Sequence, residues 1–163
     1  MNFEQKLEEL KQKQLQIYNI KKEVLELSSN IFEDFYKHIF QKYTDLKSFS
    51  WSQYTPYFND GDPTFFIVNR DYISVNEDYV EDSNWYSENL VTNWGTWNND
   101  LKIYEGKVEE VNPNYNPVLT KVTLEISTFL GLFDDDFYLS KFGDHANIRV
   151  TKDGVDISDY DHD

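Results

Sequence analysis

The sequence predicts an α+β fold with long N-terminal helices, two β-hairpins in one antiparallel sheet, and central and C-terminal helices packed on that sheet. Apolar residues repeat at helical spacing in the first 44 residues, alternate around turn signals in two later segments, and return to helical spacing between them. Hairpins that alternate with helices favour one sheet covered by helices. At 163 residues the chain has the length of a single domain, comprising a helical part (1–44) and a body (49–163).

The first 44 residues predict two helices. Apolar residues at alternating three- and four-residue steps are typical of an amphipathic helix, and they are Phe3, Leu7, Leu10, Ile17, Val24 and Ile31. Ser28-Ser29-Asn30 indicates a break and a new N-cap, followed by a broadly apolar second helix over 31–43. Gln14 and Lys21 interrupt the apolar stripe, so it fits either packing on the body or weak pairing with a second copy of the chain.

The segment 49–62, FSWSQYTPYFNDGD, predicts an ordered loop, because Pro56, Gly61 and the following Pro63 disfavour a regular element. Its aromatic and acidic side chains make it a candidate ligand-binding loop, and a purely structural loop is the alternative. The candidate residues are Trp51, Tyr54, Tyr57, Asp60 and Asp62. The spacing of the two aspartates is not that of a helix-flanked calcium loop.

A first hairpin is predicted after this loop, with strands over 65–68 and 72–75 around Asn69-Arg70-Asp71. Pairing Val68 with Ile73 would place Phe66 opposite Val75 on one face of the sheet.

Residues 71–101 combine seven acids and no Lys or Arg with many aromatic side chains, and they give no clear secondary-structure pattern. Such a segment is a candidate protein-binding face, since Trp and Tyr dominate interface energetics and acids steer a basic partner. An aromatic core with a solvated acidic rim is the alternative. The candidate binding residues are Asp78, Glu81, Asp82, Trp85, Tyr86, Glu88, Trp94 and Trp97.

Three further helical segments are predicted in the second half of the chain. Leu101, Tyr104, Val108 and Val111 repeat at helical spacing after a cap at Asn99 or Asp100, although Gly106 weakens this pattern. Asn116-Pro117 is typical of a helix start and Gly131 of a helix end. Asp134-Asp135-Asp136 can cap a short helical turn through Leu139, where negative charge is favourable.

The second hairpin is predicted over 148–157, with Asp153-Gly154 as a two-residue turn. Extending that register would place His145 opposite His162, close enough for both imidazoles to bind one metal ion. Asp144 and Asp161 flank the histidines, and Asp60 or Asp62 could complete a set of nitrogen and oxygen ligands for zinc, manganese or iron. The alternative is a solvated acidic tail. A divalent metal is the one cofactor that the sequence suggests.

Charge is divided unevenly along the chain. Residues 1–50 carry eight Lys and eight acids, whereas residues 51–163 carry 22 acids against seven bases and hold the whole net charge of −15. This field predicts a basic partner and disfavours direct binding to nucleic acid or to anionic membranes. The chain has no cysteine, no signal-peptide pattern at its start and no standard hydrolase or nucleotide-binding motif, so we expect a cytoplasmic protein.

Three blocks of the sequence resemble a family of small uncharacterised proteins encoded by tailed bacteriophages. They are FSWSQYTPYFNDGD at 49–62, FGDH at 142–145 and YDHD at 160–163. The resemblance spans roughly residues 30–163 and brings no catalytic residues with it. It implies a phage protein in the bacterial cytoplasm, where small acidic proteins block host machinery or host defence.

The leading hypothesis is therefore a non-catalytic acidic protein that occupies a basic site on a host protein, as an inhibitor, an anti-defence protein or a nucleic-acid mimic. The first alternative is a small metal-dependent enzyme or metal-stabilised fold that uses His145 and His162. An oligomeric structural component joined through the first helix, or a small-ligand sponge lined by aromatics, are the others.

Overall fold

Helices packed on an antiparallel sheet form the body of the molecule, which confirms the predicted α+β class. The structure is a computed structural model that describes residues 2–58, 60–76, 90–113 and 115–161. The helices of this part of the chain are α1 (Phe3–Lys42), α2 (Pro117–Leu130) and α3 (Asp135–Phe142). Its strands are β1 (Ser48–Tyr54), β2 (Ile67–Val68), β3 (Ser74–Val75), β4 (Leu90–Asn93), β5 (Thr96–Asn98), β6 (Ile103–Glu105), β7 (Val108–Val111), β8 (Ala146–Thr151) and β9 (Gly154–Asp159).

The N-terminal segment is one helix of 40 residues, so the predicted break at Ser28-Ser29-Asn30 is wrong. Asn2 starts the helix with a capping box, in which its side chain accepts a hydrogen bond from the Gln5 amide at 2.9 Å. Ser and Asn inside a helix cost only about half a kcal/mol each relative to Ala. Burial of Phe32 and Ile39, just after the predicted break, outweighs that cost.

Residues 48–54 form the central strand β1, which corrects the prediction of a loop from residue 49. Phe49, Trp51 and Gln53 alternate onto the buried face, as a strand requires. Pro56, Gly61 and Pro63 all follow the strand, so the loop that they enforce begins only at Thr55.

The predicted hairpin over 65–75 is also wrong, because β2 and β3 both pair with β1 instead of with each other. Val68 lies opposite Gln53, and Val75 lies opposite Phe49. The intervening residues turn away from the sheet, where Tyr72 donates its amide to the Asn69 carbonyl at 3.3 Å. The five-stranded sheet has the order β2-β1-β8-β9, and β3 also pairs with β1. The strands β2 and β3 therefore lie on the same side of β1 and form one interrupted edge of the sheet.

The β8–β9 hairpin is confirmed, but its register differs from the predicted one by two residues. Val150 pairs with Val155, and Thr151 pairs with Gly154, so Lys152 and Asp153 form the turn. A turn at Asp153-Gly154 would need a positive φ at both residues, and only Gly154 has one, at 148°.

The segment 90–111 forms a two-stranded ribbon, which contradicts the helix predicted from Leu101 to Val111. Leu90 pairs with Val111 and Asn98 with Ile103, so one register runs through both the β4–β7 and the β5–β6 pairs. From Asn93 to Val111 every side chain is exposed except the half-buried Asn98. The prediction from helical spacing is wrong because these exposed residues pack against no described part of the core, so burial does not stabilise a helix here. Gly95 and Gly106, at φ values of 68° and 79°, favour a bent ribbon instead.

The two remaining helices follow their capping signals. Asn116 caps α2 by accepting hydrogen bonds from the amides of Val118 and Leu119, and the helix ends before Gly131 as predicted. Asp134 caps α3 through the Phe137 amide at 3.0 Å, and α3 runs past Leu139 to Phe142.

The core lies between the helices and one face of the sheet. Phe32 of α1 is fully buried and makes edge contacts with the rings of Trp51, Phe133 and Phe142. Phe35 stacks on Phe129 of α2 with ring centroids 3.6 Å apart. The described helices include none with the length and apolar character needed to cross a membrane.

Candidate functional site at an acidic corner of the sheet

Three segments that are distant in the chain meet at one end of the sheet. They are the end of β1 with its following loop, the turn between α3 and β8, and the residues after β9. We call this place the acidic corner and define it by Tyr54, Thr55, Tyr57, Asp144, His145 and Tyr160. All three blocks of the phage-family resemblance contribute residues to it.

Asp144 joins two of these segments. One carboxylate oxygen, Oδ1, accepts hydrogen bonds from the backbone amides of Thr55 and His145, each at 2.8 Å. Burial by itself would raise the pKa of Asp144, but the hydrogen bonds from Thr55 and His145 outweigh it and hold that pKa below the ordinary value. The carboxylate therefore stays ionised at neutral pH, with its side chain 38% exposed.

His145 is held in an unusual backbone conformation beside this carboxylate. Its φ is 52°, in the left-handed region that few residues other than glycine adopt. Its ring stacks on that of Tyr57 with centroids 4.5 Å apart and planes 11° apart. Nε2 lies 3.9 Å from Asp144 Oδ2, and the buried Nδ1 has no hydrogen-bond partner among the described residues.

Two tyrosines extend the corner and a third caps it. The rings of Tyr54 and Tyr160 are 5.3 Å apart, and the Tyr160 amide donates to the His145 carbonyl at 2.7 Å. Tyr57 is 71% exposed although one face of its ring covers His145. The corner therefore offers an aromatic surface next to a fixed negative charge.

Gln53 positions the turn that carries Asp144 and His145. Its side chain is fully buried, and Nε2 donates to the carbonyls of Tyr138 and Gly143 at the end of α3. Its Oε1 accepts from the Trp51 indole at 3.3 Å. The sequence analysis did not identify Gln53 as a site residue. The pattern that could have identified it is the alternation of Phe49, Trp51 and Gln53, which places Gln53 on the buried face of a strand.

The chemistry of the corner is one-sided in charge. The segments 54–62, 143–146 and 159–161 contain five aspartates and neither Lys nor Arg. Asp60 and Asp62 are exposed in the loop after Tyr57, and Asp161 is exposed after Tyr160. Two residues predicted to lie in the loop belong to β1. Trp51 is buried in the core at 3% exposure, and Tyr54 is the last residue of the strand.

The geometric basis of the predicted metal site is not present. In the observed register His145 lies opposite Tyr160, where His162 had been predicted, and His162 itself is outside the described residues. The described part of the chain contains no group of three His, Asp or Glu residues that could hold a metal ion. Oδ1 of Asp144 is already engaged by two backbone amides.

The predicted aromatic and acidic binding face is described only in part. Asp78, Glu81, Asp82, Trp85, Tyr86 and Glu88 lie outside the described residues. Trp94 and Trp97 lie on the ribbon, 52% and 43% exposed, and both contact the ring of Tyr104. Lys107 covers Trp94 with its ammonium 4.2 Å from the ring centroid. These two tryptophans therefore form a surface cluster and take no part in the core.

Comparison of the chain with protein-family models, with curated proteins and with solved structures gave no significant match. The resemblance to tailed-phage proteins thus stays a prediction.

Proposed function

We propose that this protein is a non-catalytic binding protein that uses the acidic corner to occupy a positively charged site on a partner protein. One observation carries the proposal. The segments 54–62, 143–146 and 159–161 are distant in sequence and meet through contacts of Thr55 with Asp144, of Tyr57 with His145 and of Tyr54 with Tyr160. Together they contain five aspartates and neither Lys nor Arg, so the field around the corner has one sign.

The residues of the corner suit a guanidinium or ammonium group in particular. Asp144 supplies an ionised carboxylate that is fixed in place by two backbone amides. Beside it, the exposed ring of Tyr57 offers the aromatic surface on which an arginine can stack, an interaction worth about 0.5–2 kcal/mol. The aspartates around them would steer a basic partner towards the corner and raise the association rate.

The biological setting follows from the resemblance and belongs to the same proposal. A phage protein of this kind would act in the bacterial cytoplasm, against a host protein whose basic site normally binds an anionic ligand such as nucleic acid. Blocking that site would make the chain an inhibitor or an anti-defence protein, and the net charge of −15 supports this class over direct binding to nucleic acid.

The proposal is tested by capturing partners from bacterial lysate, identifying them by mass spectrometry, and measuring the affinity of the purified pair by calorimetry. Tyr57→Ala and Asp144→Asn should each weaken binding about tenfold or more, which is about 1.4 kcal/mol, because each removes part of the cation site. Affinity should also fall as the salt concentration rises.

Two matched variants control for the loss of a tyrosine and of a charge elsewhere. Tyr72→Ala removes an equally exposed tyrosine at 70% exposure, and Asp153→Asn removes an acid at the turn on the opposite end of the sheet. Both should bind like the unaltered protein. Equal losses in corner and control variants, or an affinity that does not change with salt, would reject the acidic corner as the binding site.

A further inference from the structure

An apolar stripe on α1 is left uncovered by the rest of the described chain. Every side chain from Phe3 to Val24 is exposed, and the ion pair of Lys21 with Asp136, at 3.4 Å, marks where the helix reaches the body. Beyond that point the apolar stripe continues, with Leu27 58% and Ile31 44% exposed. We define the α1 stripe as Phe3, Leu7, Leu10, Ile17, Ile20, Val24, Leu27 and Ile31.

The body leaves this stripe uncovered for two reasons. Phe3, Leu7 and Leu10 precede the point where the helix reaches the body, and the later stripe residues lie on a different side of the helix from the one that the body holds. The buried positions Phe32 and Ile39 and the half-buried Leu25 lie on one side of α1. At 100° per residue, the stripe residues Ile20, Leu27 and Ile31 point about 120° away from that side. A helix gains most of its stability from packing of its apolar side, so the stripe needs a partner.

We propose that the partner is a second copy of this chain, paired with the first along the α1 stripe in an antiparallel orientation. The eight stripe residues are between 40% and 77% exposed, which amounts to roughly 600–800 Å² of apolar surface per copy. A standard stable interface buries about 800 Å² per partner, a size that the stripe approaches when the side chains beside it are covered as well. This inference does not depend on the function proposed for the acidic corner.

The distribution of charge along the chain favours a second copy of the chain as the partner of α1. Residues 1–50 are neutral, with eight Lys and eight acids, whereas residues 51–163 carry the whole net charge of −15. Two acidic bodies repel each other, and the neutral helix is the part of each chain that can approach the other without that cost.

The same charges select the antiparallel orientation. Pairing centred on Ile17 would separate the two Lys21 residues, where each helix reaches its body, by about 12 Å along the axis, beyond the screening length of about 8 Å. A parallel pair would hold the two bodies side by side. It would also place Lys6 beside Lys6 and Lys13 beside Lys13, since both lysines share the side of the helix that carries Leu10.

A groove on the body receives the far end of the partner helix in this arrangement. It has a volume of about 480 Å³ and lies where α1 meets the start of α3, with Ile20 and Val24 on one wall and Asp134 and Asp136 on the other. Pairing centred on Ile17 would place Lys13 of the second copy level with Lys21, where both lysines can share Asp136. Lys13 pairs with Glu9 of its own helix at 2.9 Å, an exposed contact that is easily exchanged.

The proposal is tested by light scattering and sedimentation equilibrium on the full chain and two variants. The unaltered protein should have the mass of a dimer. Ile17→Asp places a charge in the middle of the stripe and should raise the dimer dissociation constant at least about tenfold. Asn19→Asp adds the same charge on the other side of the helix and should leave the dimer intact, while tryptophan fluorescence shows that the body of each variant is folded.

Orientation is tested with one spin label per chain, which the absence of native cysteine permits. With Glu4→Cys labelled, electron–electron resonance should give a distance of about 40 Å between labels in an antiparallel pair, and less than about 20 Å in a parallel pair. A monomer across the micromolar range, or a dimer that Ile17→Asp does not weaken, would overturn the pairing along the stripe. A short label distance would overturn the antiparallel orientation.

Discussion

Gln53 shows how a single polar side chain can join the core to the site. It is fully buried, yet its amide group makes three hydrogen bonds, to the carbonyl of Tyr138 within α3, to that of Gly143 just after α3 and to the indole of Trp51. Gln53→Ala would remove these three buried hydrogen bonds and should cost about 1–3 kcal/mol in the free energy of unfolding, measured in urea. Gln41→Ala, at an exposed position of α1, is the control and should stay within about 0.5 kcal/mol of the unaltered protein. Equal losses in both variants would contradict this role.

Glu125 ties the end of α1 to α2 and makes stability depend on pH. It accepts from Lys42 at 2.7 and 2.9 Å and from the Tyr43 hydroxyl at 2.8 Å. The hydrogen bond from Lys42 lowers the pKa of Glu125 despite the opposing effect of burial, and the same bond raises the pKa of Lys42. A lowered acid pKa stabilises the fold above the ordinary glutamate value of about 4.3, and that stabilisation is lost as the pH falls through the folded value.

Glu125→Gln should therefore unfold at a lower urea concentration than the unaltered protein at pH 7. The difference should shrink as the pH falls below about 4, because the carboxyl is then protonated in both states. Glu26→Gln is the control, since its pair with Lys22 is 4.0 Å long and 68% exposed on both sides, and it should have little effect at any pH. A constant difference between pH 7 and pH 3 would show that the ion pair is not the cause.

Among the elements, the ribbon of β4 to β7 depends on one glycine more than on the other. A β-carbon on Gly95 would lie 2.0 Å from the Glu105 carbonyl oxygen, whereas one on Gly106 meets nothing within 4 Å. Gly95→Ala should therefore abolish hydrogen-exchange protection at Thr96–Asn98, and Gly106→Ala should weaken it only by the roughly 1–2 kcal/mol that a positive φ costs a non-glycine residue. The urea midpoint of the body should not change in either variant, and equal effects on the ribbon would refute the steric explanation.

Elements with local stop and start signals were predictable, and elements defined by packing were not. Asn116-Pro117 and Gly131 fix α2 through chemistry within a few residues of each end. The continuity of α1 through Ser28-Ser29-Asn30 depends instead on Phe32 meeting the rings of distant elements such as Phe133 and Phe142. The β8–β9 register depends on which residue of the turn takes a positive φ. The pair Asp153-Gly154 is compatible with more than one turn position, so the sequence did not determine the register.

At the scale of the whole molecule, the candidate site could be predicted in its residue types but not in its assembly. Tyr57, Asp144 and His145 were all singled out from the sequence, Tyr57 with the loop and the other two as metal ligands. Their meeting depends on β1 and β8 being neighbours in the sheet, which no local pattern encodes. The corner also needs Gln53, whose role follows only from the distance between β1 and the end of α3.

The edges of the described sheet affect whether a second copy could add to it strand by strand. One edge is interrupted between β2 and β3, and the other, β9, carries exposed aspartates at 156 and 159. Interrupted or charged edges resist strand-to-strand addition, the route by which open sheets grow into fibres. Among the described strands, the sheet therefore has no long uncharged edge that could act as a template for aggregation.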